Sequence, residues 1–157
     1  MNTTKVEYAI TKAHSNDIIP AHLLLLADEN PQLIERYLLH SLAYIIKIDD
    51  QIRGCCLLQL TGETGEIVNL AVEPIYQGIG LGRALLRHVK AESQKMGLKS
   101  VLLKTGNSST KQLTLYQQEG FELIGLNYNY FLQTYPQPIW ENNIQCKHQL
   151  ELEFKLA

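Results

Sequence analysis

The 157-residue chain is long enough to bury one core without disulfides, and its composition, 45% hydrophobic and 19% charged, is typical of a globular domain. A formal net charge of -2 argues against general binding to nucleic acid, which needs a clustered basic surface. The longest apolar run, residues 23–27, is too short to span a membrane, and residues 1–5 lack the apolar core of a signal peptide.

The three cysteines, Cys55, Cys56 and Cys146, cannot all pair with one another. Because neighbouring residues alternate across a strand, Cys55 and Cys56 do not converge on a metal. The five histidines show no paired ligand spacing. We therefore expect reduced thiols, no metal and a soluble, cytoplasmic protein.

Three elements are predicted before the first hairpin, namely a strand over residues 6–10 and helices over residues 17–27 and 31–40. Asp17 is the expected cap of the first helix, and Pro31 suits the first position of the second. Residues 43–48 and 51–60 are β-rich runs separated by Asp49 and Asp50, which predicts a hairpin.

The strand predicted over residues 66–72 follows a turn marked by Gly62 and Gly65 and ends before Pro74, which has no N–H for a ladder. A long amphipathic helix is expected over residues 80–96, with Gly97 as its stop. One side of this helix carries Leu81, Leu85, Val89 and Met96, and the other carries Arg83, Arg87, Lys90 and Lys95.

Further along, the pattern predicts a strand over residues 100–105, a helix over residues 109–119 and a strand that opens at Gly120 and Phe121. The tail alternates polar residues with Leu150, Leu152, Phe154 and Leu156, which predicts a half-buried final strand. Strands and helices interleave without a linker or repeat, and consecutive strands early in the chain favour a mixed sheet. We expect one α/β domain over residues 1–157.

Residues 77–83 form a glycine-rich run between the predicted strand and the long helix. Glycines allow positive φ and close approach of backbone N–H groups to a ligand, and the helix start adds the positive end of its dipole. An anion such as a pyrophosphate is the expected guest. The spacing excludes a dinucleotide fingerprint, since Arg83 stands where Gly or Ala is needed, and a Walker loop, since Gly-Lys-Ser/Thr is absent. An ordinary strand-to-helix turn is the alternative.

Gln77, Gly80 and Gly82 resemble the Gln-x-x-Gly-x-Gly pattern of the GNAT family of acetyl-CoA-dependent N-acetyltransferases. Residues 115–121 are similar to the Tyr-x-x-x-Gly-Phe segment of that family, and the order of elements is similar over nearly the whole chain. Parts of residues 106–146 also resemble small bacterial members of unassigned substrate. The resemblance implies a mixed, mostly antiparallel sheet of six to seven strands with about four helices, splayed around the strand that ends at Val72.

The resemblance also implies that acetyl-CoA is the cosubstrate. The implied cofactor-binding residues are Leu70, Ala71 and Val72 in the strand, and Gln77, Gly78, Ile79, Gly80, Leu81, Gly82 and Arg83 in the loop and helix start. Free N–H and C=O groups of the strand would pair with pantetheine, and one N–H would face the thioester carbonyl. Arg83 would add charge near the phosphates, with an exposed helix cation as the alternative.

Acyl transfer to an amine needs a base for the substrate and an acid for the leaving thiolate, because amines with a pKa of about 10 arrive protonated. Glu66 lies eleven positions before Gln77. This spacing is similar to that of family members whose strand glutamate removes the proton, directly or through water. Tyr116 is the candidate acid, since its phenol can hydrogen-bond the sulfur and donate a proton. A solvated Glu66 and a packed Tyr116 are the alternatives.

Many relatives carry an asparagine seven residues before that tyrosine, in contact with the cofactor arm, whereas this chain has Ser109. Asn107 lies two positions earlier, so both are candidates for the contact, and Asn107 can instead shape the turn. Asn69 is a candidate substrate contact, with a hydrogen bond in the sheet as the alternative. Tyr128 and Tyr130 are candidates for the amine site, with ordinary packing as the alternative.

The sequence thus predicts an acetyltransferase that acts on a small-molecule or peptide amine by direct attack in a ternary complex, since no cysteine lies near the loop. A catalytically inactive acyl-CoA-binding sensor or assembly module is the alternative. A toxin that acetylates charged tRNA is disfavoured by the mild acidity of the chain. Edge strands near the C-terminus allow a homodimer, and no nucleic-acid or membrane partner is expected.

Overall fold

The computed structural model describes residues 5–157, so residues 1–4, part of the run without a signal core, lie outside the described residues. The helices and strands of the described part are, in chain order, β1 (Ala9–Lys12), α1 (Ala21–Ala27), α2 (Pro31–Leu38), β2 (Ser41–Ile48), β3 (Gln51–Thr61), β4 (Thr64–Val72), α3 (Leu81–Lys95), β5 (Ser100–Gly106), α4 (Thr110–Gln118), β6 (Glu122–Asn127), α5 (Tyr130–Thr134), β7 (Ile139–Glu141), β8 (Ile144–Cys146) and β9 (Gln149–Lys155). A single 3-10 turn, Pro74–Tyr76, precedes α3.

Seven strands follow the order β1-β2-β3-β4-β5-β9-β6, and β7 pairs with β8 in a separate hairpin. The pairings β1–β2, β2–β3, β5–β9 and β6–β9 are antiparallel, whereas β4–β5 is parallel. This mixed, mostly antiparallel architecture confirms the expected fold class. Of the helices within residues 5–157, none is long and apolar enough to cross a bilayer.

One compact unit extends up to Leu60 and resumes over Val68–Ala91. One hydrophobic cluster of this unit packs the first two helices against the strands and consists of Leu23, Leu24, Ile34, Tyr37, Ile45, Cys55, Leu57 and Ala71. The predicted hairpin is confirmed, because Asp49 and Asp50 both have positive φ and join β2 to β3. Two such residues in succession are typical of the type I′ turn that matches the twist of paired strands.

The cap predicted at Asp17 is wrong, because α1 begins at Ala21. Pro20 occupies the N-cap position with an extended ψ of 135°, and the residue before a proline is disfavoured in helical conformation. The Asp17 carboxylate instead accepts the N–H of His14 at 2.9 Å and pairs with Lys47 at 2.9 Å. These contacts, led by the hydrogen bond from His14, hold the pKa of Asp17 below its usual value.

The second compact unit comprises Thr61–Ile67 and Glu92–Ala157. The alternating tail is confirmed as a strand, since β9 pairs with β5 on one side and with β6 on the other. Phe121 anchors this unit, with its ring centroid 6.2 Å from Tyr116 and 5.6 Å from Phe154. Because β6 is last in the strand order, it forms one edge of the sheet.

The long helix ends one residue before its predicted end. Met96 lies just beyond α3 and is 41% exposed, so it does not belong to the apolar side of the helix on which it was predicted. Gly97 has a φ of 77° and ends the helix as expected.

Gly65 lies within β4, and the turn before that strand centres on Gly62, whose φ is 59°.

The segment between β6 and β9 contains elements that were not predicted. It forms α5 and the β7–β8 hairpin, where the sequence had pointed only to Tyr128 and Tyr130 as candidates for the amine site. Asn142 and Asn143 have φ values of 53° and 61°, the same turn chemistry as Asp49 and Asp50. The flanking strands have three residues each, which is too short for a period to appear in the sequence.

Candidate functional site

The glycine-rich run leads into the first turn of α3. Gly78 and Gly80 have φ values of 81° and 91°, a conformation that glycine adopts without steric cost. Gly82 differs, because its φ is not positive and a Cβ built there would meet no described protein atom within 4 Å. Glycine inside a helix costs about 0.5–1 kcal/mol relative to alanine, and the described residues offer no reason for it. The missing side chain leaves room for a ligand.

The start of α3 presents hydrogen-bond donors to that space. The Gly80 carbonyl accepts the N–H of Ala84 at 3.0 Å, which places Gly80 at the N-cap. The first N–H groups of any helix have no carbonyl partner within it, and the 15-residue α3 adds the positive end of a dipole. The side chain of Leu81 is buried and that of Ile79 is exposed, so these residues offer their backbone. Such a helix start suits an anion.

Gln77 connects the loop to the end of β4. Its side-chain amide donates a hydrogen bond to the carbonyl of Val72 at 2.8 Å. The Val72 carbonyl therefore already has a protein partner, and the Gln77 side chain holds the loop to the end of β4. Ala71 is buried and Leu70 is half-buried.

The parallel ladder between β4 and β5 is short. It runs from Thr64 opposite Ser100 to Ile67 opposite Leu103, while β4 continues to Val72. This early end agrees with the splay that the family resemblance implies. Contacts of residues 70–72 with a cofactor remain a prediction.

Glu66 lies within this ladder, opposite Leu102. Its carboxylate is 3.6 Å from the ammonium of Lys104, which is also 3.9 Å from the carboxylate of Glu151. The side chains of Glu66 and Lys104 are 30% and 35% exposed. Glu66 is therefore ion-paired rather than merely solvated. Because a partly exposed pair contributes only about 0–1 kcal/mol, this ion pair is weak.

Tyr116 lies on the inner side of α4 and is 7% exposed. Its ring packs at a tilt against Phe121. The packing alternative is thus correct as a description of the ring, and a role in proton transfer would require its hydroxyl alone to reach a ligand. That role stays a prediction.

Asn107 and Ser109 both have protein partners. The Asn107 side-chain oxygen accepts the N–H groups of Lys147 and His148 at 2.8 and 2.9 Å, and its amide donates to the Gln145 carbonyl. Asn107 therefore shapes the chain, as its alternative reading proposed. The Ser109 hydroxyl donates to a carboxylate oxygen of Glu141 at 3.2 Å. A cofactor contact for either residue stays a prediction.

Asn69 is 3% exposed, and its side chain makes hydrogen bonds both within the sheet and outside it. Its oxygen accepts the Cys55 thiol of β3 at 3.9 Å, as the in-sheet alternative predicted, and its amide donates to the Leu24 carbonyl at 2.9 Å and to the Tyr37 hydroxyl at 3.0 Å. Burial raises the pKa of Tyr37, so its hydroxyl stays protonated. These contacts tie α1 and α2 to β4, a role that sequence analysis missed because the partners are distant in the chain.

Tyr128 and Tyr130, the candidates for the amine site, lie in a partly exposed segment. Tyr128 stacks on His148 with ring centroids 4.5 Å apart and is otherwise open to solvent, and Tyr130 packs edge-on against Phe131. Arg83 is half-buried in the first turn of α3. Tyr128 remains available to a ligand, whereas Tyr130 is partly used in packing.

The cysteines are poor nucleophiles in this fold. All three are buried and free. Burial raises the pKa of the Cys55 thiol to about 12 and that of Cys56 well above its usual value. Among residues 5–157, no three His, Cys, Asp or Glu side chains form a group suited to a metal ion.

Comparisons with known proteins agree on one family. The family model described as an acetyltransferase (GNAT) domain matches residues 40–123. The protein named uncharacterized N-acetyltransferase YvbK of Bacillus subtilis strain 168 is 33% identical over 157 residues, which cover 99% of this chain and 100% of that one. The [ribosomal protein bS18]-alanine N-acetyltransferase of Escherichia coli strain K12 is 32% identical over 100 residues, 64% of this chain and 65% of that protein.

A solved structure is similar over nearly the same length. The GNAT family acetyltransferase from Elizabethkingia anophelis, with acetyl-CoA bound, is 39% identical to this chain and has a TM-score of 0.91. The alignment covers 95% of this chain and 98% of that chain.

Proposed function

The chain belongs to the GNAT family of acetyl-CoA-dependent N-acetyltransferases, and we propose that it acetylates a primary amine of a small molecule or peptide. The resemblance of the glycine-rich loop and of residues 115–121 to this family is confirmed. We propose the amine acceptor, the mechanism and the roles of individual residues.

The observation that carries the proposal is the open start of α3. Gly82 lacks both a conformational and a packing reason among the described residues, and the space beside it is next to the donors of a helix start. We place the diphosphate of acetyl-CoA over residues 77–83 and its pantetheine arm along residues 70–72. The acetyl-CoA bound to the Elizabethkingia anophelis acetyltransferase, 39% identical to this chain, supports this choice of cosubstrate.

The reaction proceeds by direct attack. Glu66, directly or through water, removes a proton from the ammonium of the acceptor, which takes the place of Lys104 at the carboxylate. The free amine nitrogen bonds to the thioester carbonyl carbon, and a backbone N–H of residues 70–72 stabilises the oxyanion. As the carbon–sulfur bond breaks, Tyr116 donates its proton to the leaving thiolate, and the resulting phenolate regains a proton as the nitrogen loses its second proton to become an amide. The products are an amide and free CoA.

An acyl-cysteine intermediate is disfavoured by the state of the thiols. The thiolate, not the thiol, is the nucleophile, and a thiol with a pKa of about 12 is almost wholly protonated at neutral pH. Cys146 is buried as well. Transfer within a ternary complex needs no such carrier.

The acceptor class remains broad. The Escherichia coli relative is named for the alanine of a ribosomal protein, which supports a peptide amine, while exposed Tyr128 is suited to a small cationic amine. A cytoplasmic location accords with three free thiols. A homodimer through the β6 edge is compatible with the large apolar side chains exposed there, Leu123, Ile124 and Leu126.

The inactive acyl-CoA-binding module is the second candidate, favoured by the pairing of Glu66 with Lys104 and by the burial of Tyr116. A panel of polyamines, amino acids, aminoglycosides and short peptides, assayed for release of free CoA thiol, separates the two. The enzyme releases CoA with one acceptor class and yields an acetylated product by mass. The module binds CoA in calorimetry without releasing acetyl groups, and absence of both binding and release refutes the proposal as a whole.

A further inference from the structure

We propose that Glu141 is a positioning residue for Tyr116, because it holds the turn into α4 from the β7–β8 hairpin. The inference rests on the proposed role of Tyr116 as the general acid. Its structural content, a carboxylate that fixes the start of a helix, stands on contacts within one compact unit.

The contacts converge on one carboxylate oxygen. The hydroxyls of Ser108 and Ser109 each donate to Oε1 of Glu141 at 3.2 Å. The neighbouring Asn142 donates its side-chain amide to the carbonyl of Ser108 at 2.9 Å. Both serines are buried, so water does not easily replace these bonds. The hairpin thereby grips two consecutive residues just before α4.

These hydrogen bonds change how α4 begins. Ser109 is the N-cap residue of α4, yet its side chain makes no cap hydrogen bond to the helix. A serine at this position normally accepts an N–H of the first turn. Here its hydroxyl is directed to Glu141, and the carboxylate brings negative charge to the positive end of the helix dipole. The start of α4 is thus stabilised by a residue 32 positions away.

The hairpin itself is anchored at its other end. Asn107 bonds the backbone at Gln145, Lys147 and His148. A Cβ added at Gly106 would clash with the sulfur of Cys146, so the two segments are in close contact. The β7–β8 hairpin, which carries Glu141, is therefore attached at both ends to residues 106–109, the turn that precedes α4.

The position of the N-cap residue Ser109 helps to determine where Tyr116 lies, because Tyr116 follows it by seven residues on α4. Proton donation requires a donor–acceptor distance of about 2.6–3.2 Å. A misplacement of about 1 Å can cost about 10²-fold in rate. Release of the helix start is therefore expected to act on kcat through the phenol of Tyr116.

The test is a double-mutant cycle. We expect Glu141→Ala to lower kcat about tenfold or more, with the KM for acetyl-CoA within about twofold of the wild type. Glu141→Gln, whose amide oxygen still accepts both hydroxyls, restores most of kcat. In a Tyr116→Phe background Glu141→Ala causes no further loss. Exposed Glu122→Ala, for which the described residues provide no side-chain partner, is the matched control and leaves kcat unchanged.

An equal loss of kcat from Glu141→Ala in both backgrounds overturns the inference, because it indicates a general structural effect. So does an unchanged kcat. A measurement without turnover covers failure of the proposed function: with 3-fluorotyrosine in place of tyrosine, the ¹⁹F resonance that disappears in Tyr116→Phe shifts in Glu141→Ala and not in Glu122→Ala. If that resonance stays in place, the positioning role is refuted whether or not the protein acetylates amines.

Discussion

The ammonium of Lys104 lies 3.6 Å from the carboxylate of Glu66. In the proposed mechanism, it occupies the position that a protonated acceptor would need in order to deliver its proton to Glu66. Lys104 would then compete with the substrate, and its ion pair is weak because both side chains are partly exposed.

Replacement of Lys104 by methionine removes the competing charge and keeps most of the apolar stem. We expect the KM for a cationic acceptor to fall by up to about fivefold, the equivalent of an ion pair worth about 1 kcal/mol. Steady-state kinetics with an acceptor from the amine panel measures the change. An increased KM contradicts the competition and assigns Lys104 to substrate binding.

Glu66→Gln preserves the shape of the side chain and removes its basicity. A general base contributes about 10²–10⁴-fold, so we expect kcat/KM to fall by about 10²-fold or more. The matched control is Glu63→Gln, which breaks a similar but more exposed pair with Lys99 at 2.9 Å. Equal effects of the two substitutions would show that Glu66 is not the base.

Gly82→Ala separates cofactor binding from folding. Alanine is the better helix former, and nothing described lies within 4 Å of its Cβ, so stability should rise by about 0.5–1 kcal/mol. The same methyl group enters the space assigned to the diphosphate, and we expect affinity for CoA to fall about tenfold. Calorimetry and thermal unfolding measure the two quantities, with Lys95→Ala at the far end of α3 as the control. Unchanged affinity places the diphosphate elsewhere.

Asn69→Ala tests whether this residue serves the substrate or the fold. The substitution leaves the buried Leu24 carbonyl without its side-chain donor and weakens the link to Tyr37, so we expect a loss of about 2 kcal/mol in the free energy of unfolding. Denaturant unfolding measures it, and exposed Asn16→Ala is the control. A raised acceptor KM at unchanged stability supports the substrate contact instead.

The state of the thiols predicts a kinetic signature. With Cys55 protonated at neutral pH, mixing the protein with acetyl-CoA in the absence of an amine should release no stoichiometric burst of CoA. The acid-quenched protein should carry no acetyl group by mass spectrometry. A burst of one equivalent, lost in Cys146→Ala, replaces direct attack with an acyl-enzyme.

Local pattern was sufficient for much of the fold. Asp49 and Asp50 form a hairpin turn because their side chains tolerate positive φ, and the alternating tail forms β9 because period two matches a pleated strand. Such features depend on residues a few positions apart. The cap predicted at Asp17 was wrong because α1 begins only after Pro20, and the Asp17 carboxylate pairs instead with Lys47 of a distant strand.

Local residue patterns were enough to predict the family, the glycine-rich loop and the candidate residues for acetyl transfer. The partners of these residues appear only in the folded chain: Lys104 beside Glu66, Glu141 at the start of α4, and Leu24 and Tyr37 on the amide of Asn69. A backbone turn is encoded by the conformational preference of its own residues. A hydrogen bond across 32 or 45 positions is decided by which segments the folded chain brings together, and no local period records that.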